Sequence, residues 1–211
     1  MEKTSKPKIR ANIAAEIEDA PNGTLFFSNS FPMFGDEYVG HVLSDLVAVG
    51  IRRIGRGVYL KTKATRYGLV YPSVDEIANA IAKRDGAEVL PTGAMALNIL
   101  GLSTQVPLNP TFITSGSARV VEIGGRKITF KRGVPRNFNI KGKKRSLIVQ
   151  ALKAIGEKNL TEEDLASVKS IIQKYPEPDN YNEDLKVMPV WIRRIFQKTD
   201  ESNRIWEVRT A

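Results

Sequence analysis

Ile51-Arg52-Arg53-Ile54-Gly55-Arg56-Gly57-Val58-Tyr59-Leu60 is the stretch on which the reading of this chain turns. Two short β-prone runs flank a Gly-Arg-Gly tip, and a helical pattern from Asp36 to Val49 leads directly into them. Gly55 and Gly57 permit the positive φ angles of a tight hairpin. The side chain held at the tip is a guanidinium, whose flat fork matches phosphate oxygens and fits a narrow groove. Along the helix, Val39, Val42, Leu43, Leu46 and Val47 form one apolar stripe, leaving Glu37, Tyr38, His41, Ser44 and Asp45 outside. Gly50 stands where a left-handed C-terminal cap is expected. A helix followed by a short basic hairpin is how a winged helix-turn-helix meets duplex DNA.

Working outward, Arg10 to Ala20 carries Ile13, Ala14 and Ile17 at helical spacing, and Pro21-Asn22-Gly23 stops it. Met1 to Arg10 reads as a frayed, basic lead-in. Thr24 to Phe27 is a brief β-prone run, and Ser28 to Ser30 offer cap chemistry for a single turn around Phe31 to Phe34. Downstream of the hairpin, Lys61 to Gly68 reads as a solvated linker. Ser73 and Glu76 have capping-box spacing for a helix running to about Arg84 on Val74, Ile77, Ala78 and Ile81, closed by Asp85-Gly86.

A strand is then expected over Ala87 to Leu90, followed by a small-residue apolar segment, Thr92 to Leu100. Three β runs come next, Thr111–Thr114, Arg119–Ile123 and Arg126–Lys131. Gly124-Gly125 joins the last two as a hairpin, setting Val121 opposite Ile128 on an apolar face and Glu122 opposite Lys127 as a cross-strand ion pair on the other. Ser146–Ile155 and Leu160–Ile172 are amphipathic, the latter opened by Thr161 and Asp164. Tyr175 to Asn182 reads as a loop, and Val190 to Gln197 as a short final helix packing Trp191, Ile195 and Phe196. The expected class is α+β: an N-terminal winged helix-turn-helix over residues 10–63, then a mixed α/β domain over residues 69–211 with a small sheet and C-terminal helices.

Composition narrows the partners. The 211 residues are 42% hydrophobic and 26% charged, which suits a globular protein, and the net charge of +9 favours a polyanion. There is no cysteine and only one histidine, His41, so disulfides, thiolate metal sites and multi-histidine sites are excluded. No apolar run is long enough for a membrane span, and the N-terminus lacks the apolar core of a secretory signal. The expectation is a cytoplasmic protein with no cofactor and no metal. Catalysis is not expected either. Thr114 to Ser117 lacks the lysine and spacing of a phosphate loop. Asp184-Leu185-Lys186 has the ending of a nuclease-like motif without its further carboxylates.

Specific strings also resemble a known family. Residues from about Thr24 to Tyr59 resemble the N-terminal winged domain of AbiEi-like antitoxins, the antidote half of abortive-infection type IV toxin–antitoxin pairs. The likeness rests on the Phe-Ser-x-Ser-Phe of Phe27 to Phe31, on Leu43-Ser44-Asp45-Leu46, and on the Arg-Gly-Val-Tyr of Arg56 to Tyr59. It continues through Ala80 to Gly86, Pro91-Thr92-Gly93, and the Leu-Gly-Leu-Ser-Thr-Gln-Val-Pro of Leu100 to Pro107, and covers roughly Ala11 to Lys174. The resemblance implies an antitoxin that represses its own operon by binding an operator with inverted repeats. It also implies a second domain that counteracts a nucleotidyltransferase-like toxin without needing a stable complex.

The candidate DNA-binding residues are Tyr38, His41 and Ser44 on the helix, and Arg52, Arg53, Arg56, Lys61 and Lys63 on and after the hairpin. Because neighbours alternate across a strand, only one of Arg52 and Arg53 is expected to reach DNA. His41 is equally readable as an ordinary surface histidine, and Asp36 and Glu37 favour the helix dipole but repel a DNA backbone. Lys131, Arg132, Arg136, Lys143, Lys144 and Arg145 lie in a second acid-free stretch, readable as further nucleic-acid footprint or as a solvated connector. Ser103, Thr104 and Gln105 are either an antitoxic surface or a helix cap and turn. The rival functions are a regulator with a ligand-sensing second domain and no toxin, and a DNA-processing enzyme with a winged targeting module.

Overall fold

The computed structural model describes residues 6–62, 64–66 and 68–210. It is α+β, with small sheets and a run of helices toward the C-terminal end. Two compact units are formed, one from the residues up to Ala87 together with Val121–Ile128, the other from Glu88–Val120 with Thr129 onward.

In the first unit, helix α1 (Lys6–Asp19) buries Ile13 and Ile17. Lys6 to Arg10, expected to fray, are its opening turns; Met1 to Ser5 lie outside the described residues. Strand β1 (Leu25–Phe26) pairs antiparallel with β3 (Val58–Lys61), which pairs antiparallel with β2 (Ile51–Gly55), giving the order β1-β3-β2. Val58, Tyr59 and Leu60 are all buried, so the middle strand is shielded on both faces. Helix α2 (Asp36–Leu46) lays Val39, Val42, Leu43 and Leu46 into a cluster with Ile13, Phe26, Phe31 and Ile51. Before it, Ser28–Ser30 make a 3-10 turn, with the Phe27 amide donating to Ser30 Oγ at 2.8 Å.

Helix α2 ends sooner than its sequence pattern suggests. Val47 is 40% exposed, and the chain leaves through tightened turns, Ala48 N to Asp45 O and Val49 N to Leu46 O. With its last carbonyls met in this way, no left-handed cap is needed, and Gly50 is not among the glycines with positive φ. The expected linker is also structured: β4 (Ala64–Thr65) pairs with β5 (Gly68–Leu69). Helix α3 (Val74–Arg84) has its capping box, with Glu76 N donating to Ser73 Oγ and Ser73 N to Glu76 Oε2, and buries Ile77, Ala78, Ile81 and Ala82.

The second unit contains β6 (Val89–Pro91), β7 (Thr111–Thr114) and most of the sheet order β6-β7-β9-β8, where β8 is Arg119–Ile123 and β9 is Arg126–Arg132. Strand β7 pairs antiparallel with β6 and parallel with β9. The Phe112 and Phe130 rings stack 6.0 Å apart. The turn end of the β8–β9 hairpin, residues 121–128, belongs to the first unit. Around the sheet's own unit come α4 (Ala94–Ile99), α5 (Lys143–Ile155), α6 (Glu162–Lys174), α7 (Tyr181–Val187) and α8 (Val190–Thr210). Their core holds Ile148, Leu152, Val168, Met188, Ile192 and Phe196. Helix α7 replaces part of the expected loop, and α8 runs well past Gln197 because no glycine or proline follows to stop it.

The start of α5 is held by two carboxylates from far along the chain. Glu177 accepts from the amides of Lys144 and Arg145, each at 3.0 Å. Asp184, fully buried, accepts from the amides of Lys141 at 2.8 Å and Gly142 at 2.9 Å and from Arg145 Nε at 2.7 Å. Arg145 also donates to the carbonyls of Glu177 and Asp179. Negative charge at a helix start is favoured by the backbone dipole. Replacing Asp184 with Asn leaves the buried Arg145 guanidinium only the more distant Glu177 carboxylate, at 3.9 Å, as counter-charge, so the variant is expected to lose about 3 kcal/mol in urea unfolding.

Helix α6 opens on a capping box in which Asp164 N donates to Thr161 Oγ1 while Thr161 N and Oγ1 donate to the Asp164 carboxylate. The side-chain hydrogen bond from Thr161, then its backbone one, hold the Asp164 carboxyl below its usual 3.8. The stabilisation is therefore complete above that value and is lost as pH falls through the lower folded pKa. Thr161→Ala is expected to cost about 1 kcal/mol at neutral pH. Comparing urea midpoints of variant and parent should show the difference shrinking in acid.

Candidate nucleic-acid interface

Three arginines stand out on the first unit. Strand β2 is at the edge of its sheet, with Ile51 and Ile54 buried and Arg52 and Arg53 both exposed. Simple alternation sets the two side chains on opposite faces of the strand. The pairing is regular through both arginines and slips only between Arg53 and Gly55, so they keep opposite faces, and at the edge of the sheet both reach solvent. Arg53 Nε donates to the Gly55 carbonyl at 3.4 Å. Arg56 occupies the turn itself and is also exposed. None of the three is paired with a carboxylate among the described residues.

The adjoining helix is fixed to this hairpin by a side-chain hydrogen bond, Ser44 Oγ to Tyr59 Oη at 2.8 Å. Glu37, His41, Ser44 and Asp45 form its open face, and Asp45 lies 3.9 Å from Arg10. Tyr38 does not share that face as expected, because its half-buried ring packs against the core with Phe34 and Ile9.

Lys61 departs from its expected role. Its ammonium donates to the carbonyls of Glu18 and, at 2.7 Å, Ala20. It therefore satisfies the open end of α1, a helix with no basic residue of its own in the last turn. Lys63 lies outside the described residues.

The second basic stretch divides in the same way. Lys131, Arg132 and Lys143 are exposed. Arg136 Nε donates to Val187 O at 2.6 Å and its Nη2 to Met188 O at 3.2 Å, closing the end of α7. Lys144 lies over the Tyr175 ring at 4.8 Å, and Arg145 is 4% exposed and bonded as described above. Arg145 is a structural residue, since its donors are already committed to internal acceptors. Asp184 is likewise occupied by its three donors, so the nuclease-like reading of Asp184-Leu185-Lys186 loses its carboxylate. Ser103 accepts from the Gln105 amide at 3.2 Å and its carbonyl from Asn98 at 3.2 Å, a turn that leaves Thr104 and Gln105 exposed.

Sequence reading missed that the Gly124-Gly125 hairpin touches the wing. Gly124 N donates to Ile54 O at 3.0 Å. A Cβ on Gly55 would lie 2.7 Å from the Glu122 carbonyl oxygen and 2.6 Å from Ile123 Cδ1. Exposed Arg126 and Lys127 are thereby brought next to the hairpin that carries Arg52, Arg53 and Arg56. No local signal marks this docking. The unused hint was Gly55, a second glycine in a turn that needs positive φ only at Gly57, where φ is 67°.

The first unit also has a cavity of about 880 Å³ lined by Asn22, Thr24, Phe27, Tyr71, Lys83 and Arg84, among others. Arg84 stands 5.0 Å from the centre of the Phe27 ring, and burial pulls its pKa down. Among the described residues no group of three or more histidine, aspartate or glutamate side chains is placed to hold a metal ion. Nor is any helix there long and apolar enough to cross a membrane.

Residues 12–179 match the model of a family of unknown function, DUF6088. The chain belongs to this family. The match covers α2, the arginine hairpin and the Gly124-Gly125 hairpin, so the proposed interface lies within what defines DUF6088. No curated protein matches the chain.

Gly55→Ala would drive a methyl group into the backbone of the second hairpin. It is expected to cost about 1–3 kcal/mol. Gly57→Ala, with nothing within 4 Å, meets only the left-handed backbone penalty of about 1–2 kcal/mol. Thermal melts of the two variants, with the second hairpin's amide exchange as a local readout, separate a packing role from a turn role: only Gly55→Ala should expose Gly124.

Proposed function

We propose that this protein is a DNA-binding antitoxin that represses its own operon and counteracts a nucleotidyltransferase-like toxin. The observation that carries the DNA-binding part is the exposed trio Arg52, Arg53 and Arg56, free of carboxylate partners among the described residues, beside a helix joined to it by Ser44 and Tyr59. The sequence of elements supports a winged helix-turn-helix reading: helix α1, strand β1, a short turn, helix α2, then two strands closing a β1-β3-β2 sheet. In that arrangement α2 is the recognition helix, offering His41 and Ser44 to a groove, while the turn at Arg56 contacts the flanking backbone. The antitoxin part rests on the resemblance of the quoted strings, since the family itself carries no assigned function.

The test uses duplex DNA from immediately upstream of the gene. Replacing Arg52, Arg53 and Arg56 with Ala is expected to weaken binding and to lower the log–log salt slope by roughly 0.9 for each phosphate that is no longer neutralised. Unchanged affinity in a gel shift would remove the wing from the mechanism. For the antidote, co-expression with the neighbouring nucleotidyltransferase-like gene should restore growth that the neighbour alone arrests. A second reading, a ligand-responsive regulator without a toxin, is favoured by the cavity beside Arg84 and Tyr71, although that cavity lies in the first unit and not in the second as expected.

A further inference from the structure

We infer that the turn end of the β8–β9 hairpin is a second cationic finger for double-stranded DNA, with Arg126 and Lys127 neutralising phosphates beside those met by Arg56. The inference rests on the DNA-binding reading of the wing and extends it to residues outside the helix-and-wing module. Arg126 and Lys127 are both exposed and have no carboxylate partner among the described residues, so the ion pair expected between Lys127 and Glu122 is not formed. Their turn is held narrow by Gly124 and Gly125, at φ 57° and 78°.

The turn is also held in place. Its Gly124 amide bonds to the Ile54 carbonyl at 3.0 Å, and the bare Cα of Gly55 admits the Glu122 backbone. Arg56 and Arg126 are each two residues from that bond, so chain reach keeps their Cα atoms within about 20 Å. At 3.4 Å per base pair this corresponds to roughly six base pairs of one duplex. A flexible basic loop would lose conformational entropy on meeting phosphate, whereas a braced hairpin has less to lose. Arg52, Arg53, Arg56, Arg126 and Lys127 are all exposed on the two hairpins, with Glu122 an exposed acid at the second. Several cations spread over two hairpins fit a polyanion with regularly spaced charges rather than one small anion.

The test measures binding of the full chain to mixed-sequence duplex DNA of about 24 base pairs by fluorescence anisotropy over a salt series. Arg126→Ala with Lys127→Ala is expected to bind roughly five- to tenfold more weakly and to lower the salt slope by about one to two. Far-ultraviolet circular dichroism and melting temperature should stay at the parent's values, since both side chains are exposed. Glu122→Gln should move the other way and tighten binding, a gain that misfolding cannot imitate. If the double variant and Glu122→Gln both keep the parent's affinity and slope while the wing triple variant loses them, the second finger is overturned and the wing stands. If the unmodified protein shows no salt-dependent binding, the wing reading fails and the finger fails with it.

Discussion

The burial of one strand on both faces governs the rest of the first unit. Val58, Tyr59 and Leu60 are all within the core, and β1 and β2 pair along either side of their strand. A charge at those three positions would be desolvated without compensation, so the cations of this hairpin lie on the edge strand, in the turn and at Lys61, where the middle strand ends. Tyr59 brings its hydroxyl to the surface beside Ser44, which ties α2 to the sheet. Cations on an edge strand also discourage pairing with a second chain, and Arg52 and Arg53 would serve that end alone. Arg56 is different. It sits in the turn beyond the last pairing of Gly55 with Val58, where there is no edge to protect.

Local chemistry was legible. Both capping boxes, the Gly124-Gly125 turn and the apolar stripe of α2 involve residues a few positions apart, so their spacing reports the geometry directly. The destinations of the basic side chains were not. Lys61, Arg136 and Arg145 occupy stretches as rich in cations as those holding Arg52 and Arg56, yet their acceptors lie 41, 51 and 39 residues away. Nothing in a window around Arg145 announces Asp184. The same limit hid Arg126 and Lys127 from the candidate site, because their membership depends on a hydrogen bond between Gly124 and Ile54.

Two local rules were outvoted by tertiary structure. Strict alternation would put Ile51 and Ile54 on opposite faces, yet both are buried, three apart, with a register slip after Arg53 between them. The two glycines around Arg56 look equivalent in sequence and are not. Gly57 supplies a left-handed turn residue, whereas Gly55 is required by the approach of another backbone. Both departures occur at the candidate interface.

Net charge, the first pointer to a polyanion, therefore overstates how many cations stand open to a partner. A guanidinium already desolvated and bonded inside, as Arg145 is to Asp184, Glu177 and Asp179, cannot be withdrawn to meet a phosphate without stranding buried acceptors. Lys61, bonded to two helix-end carbonyls, would leave those unmet in the same way. Arg52, Arg56, Arg126 and Lys127 face no such penalty, since they are exposed and a phosphate would displace only counterions. The difference between the two groups is one of desolvation, not of residue type. It selects the hairpin surface of the first unit over the acid-free stretch of the second, although the latter has the denser run of positive residues.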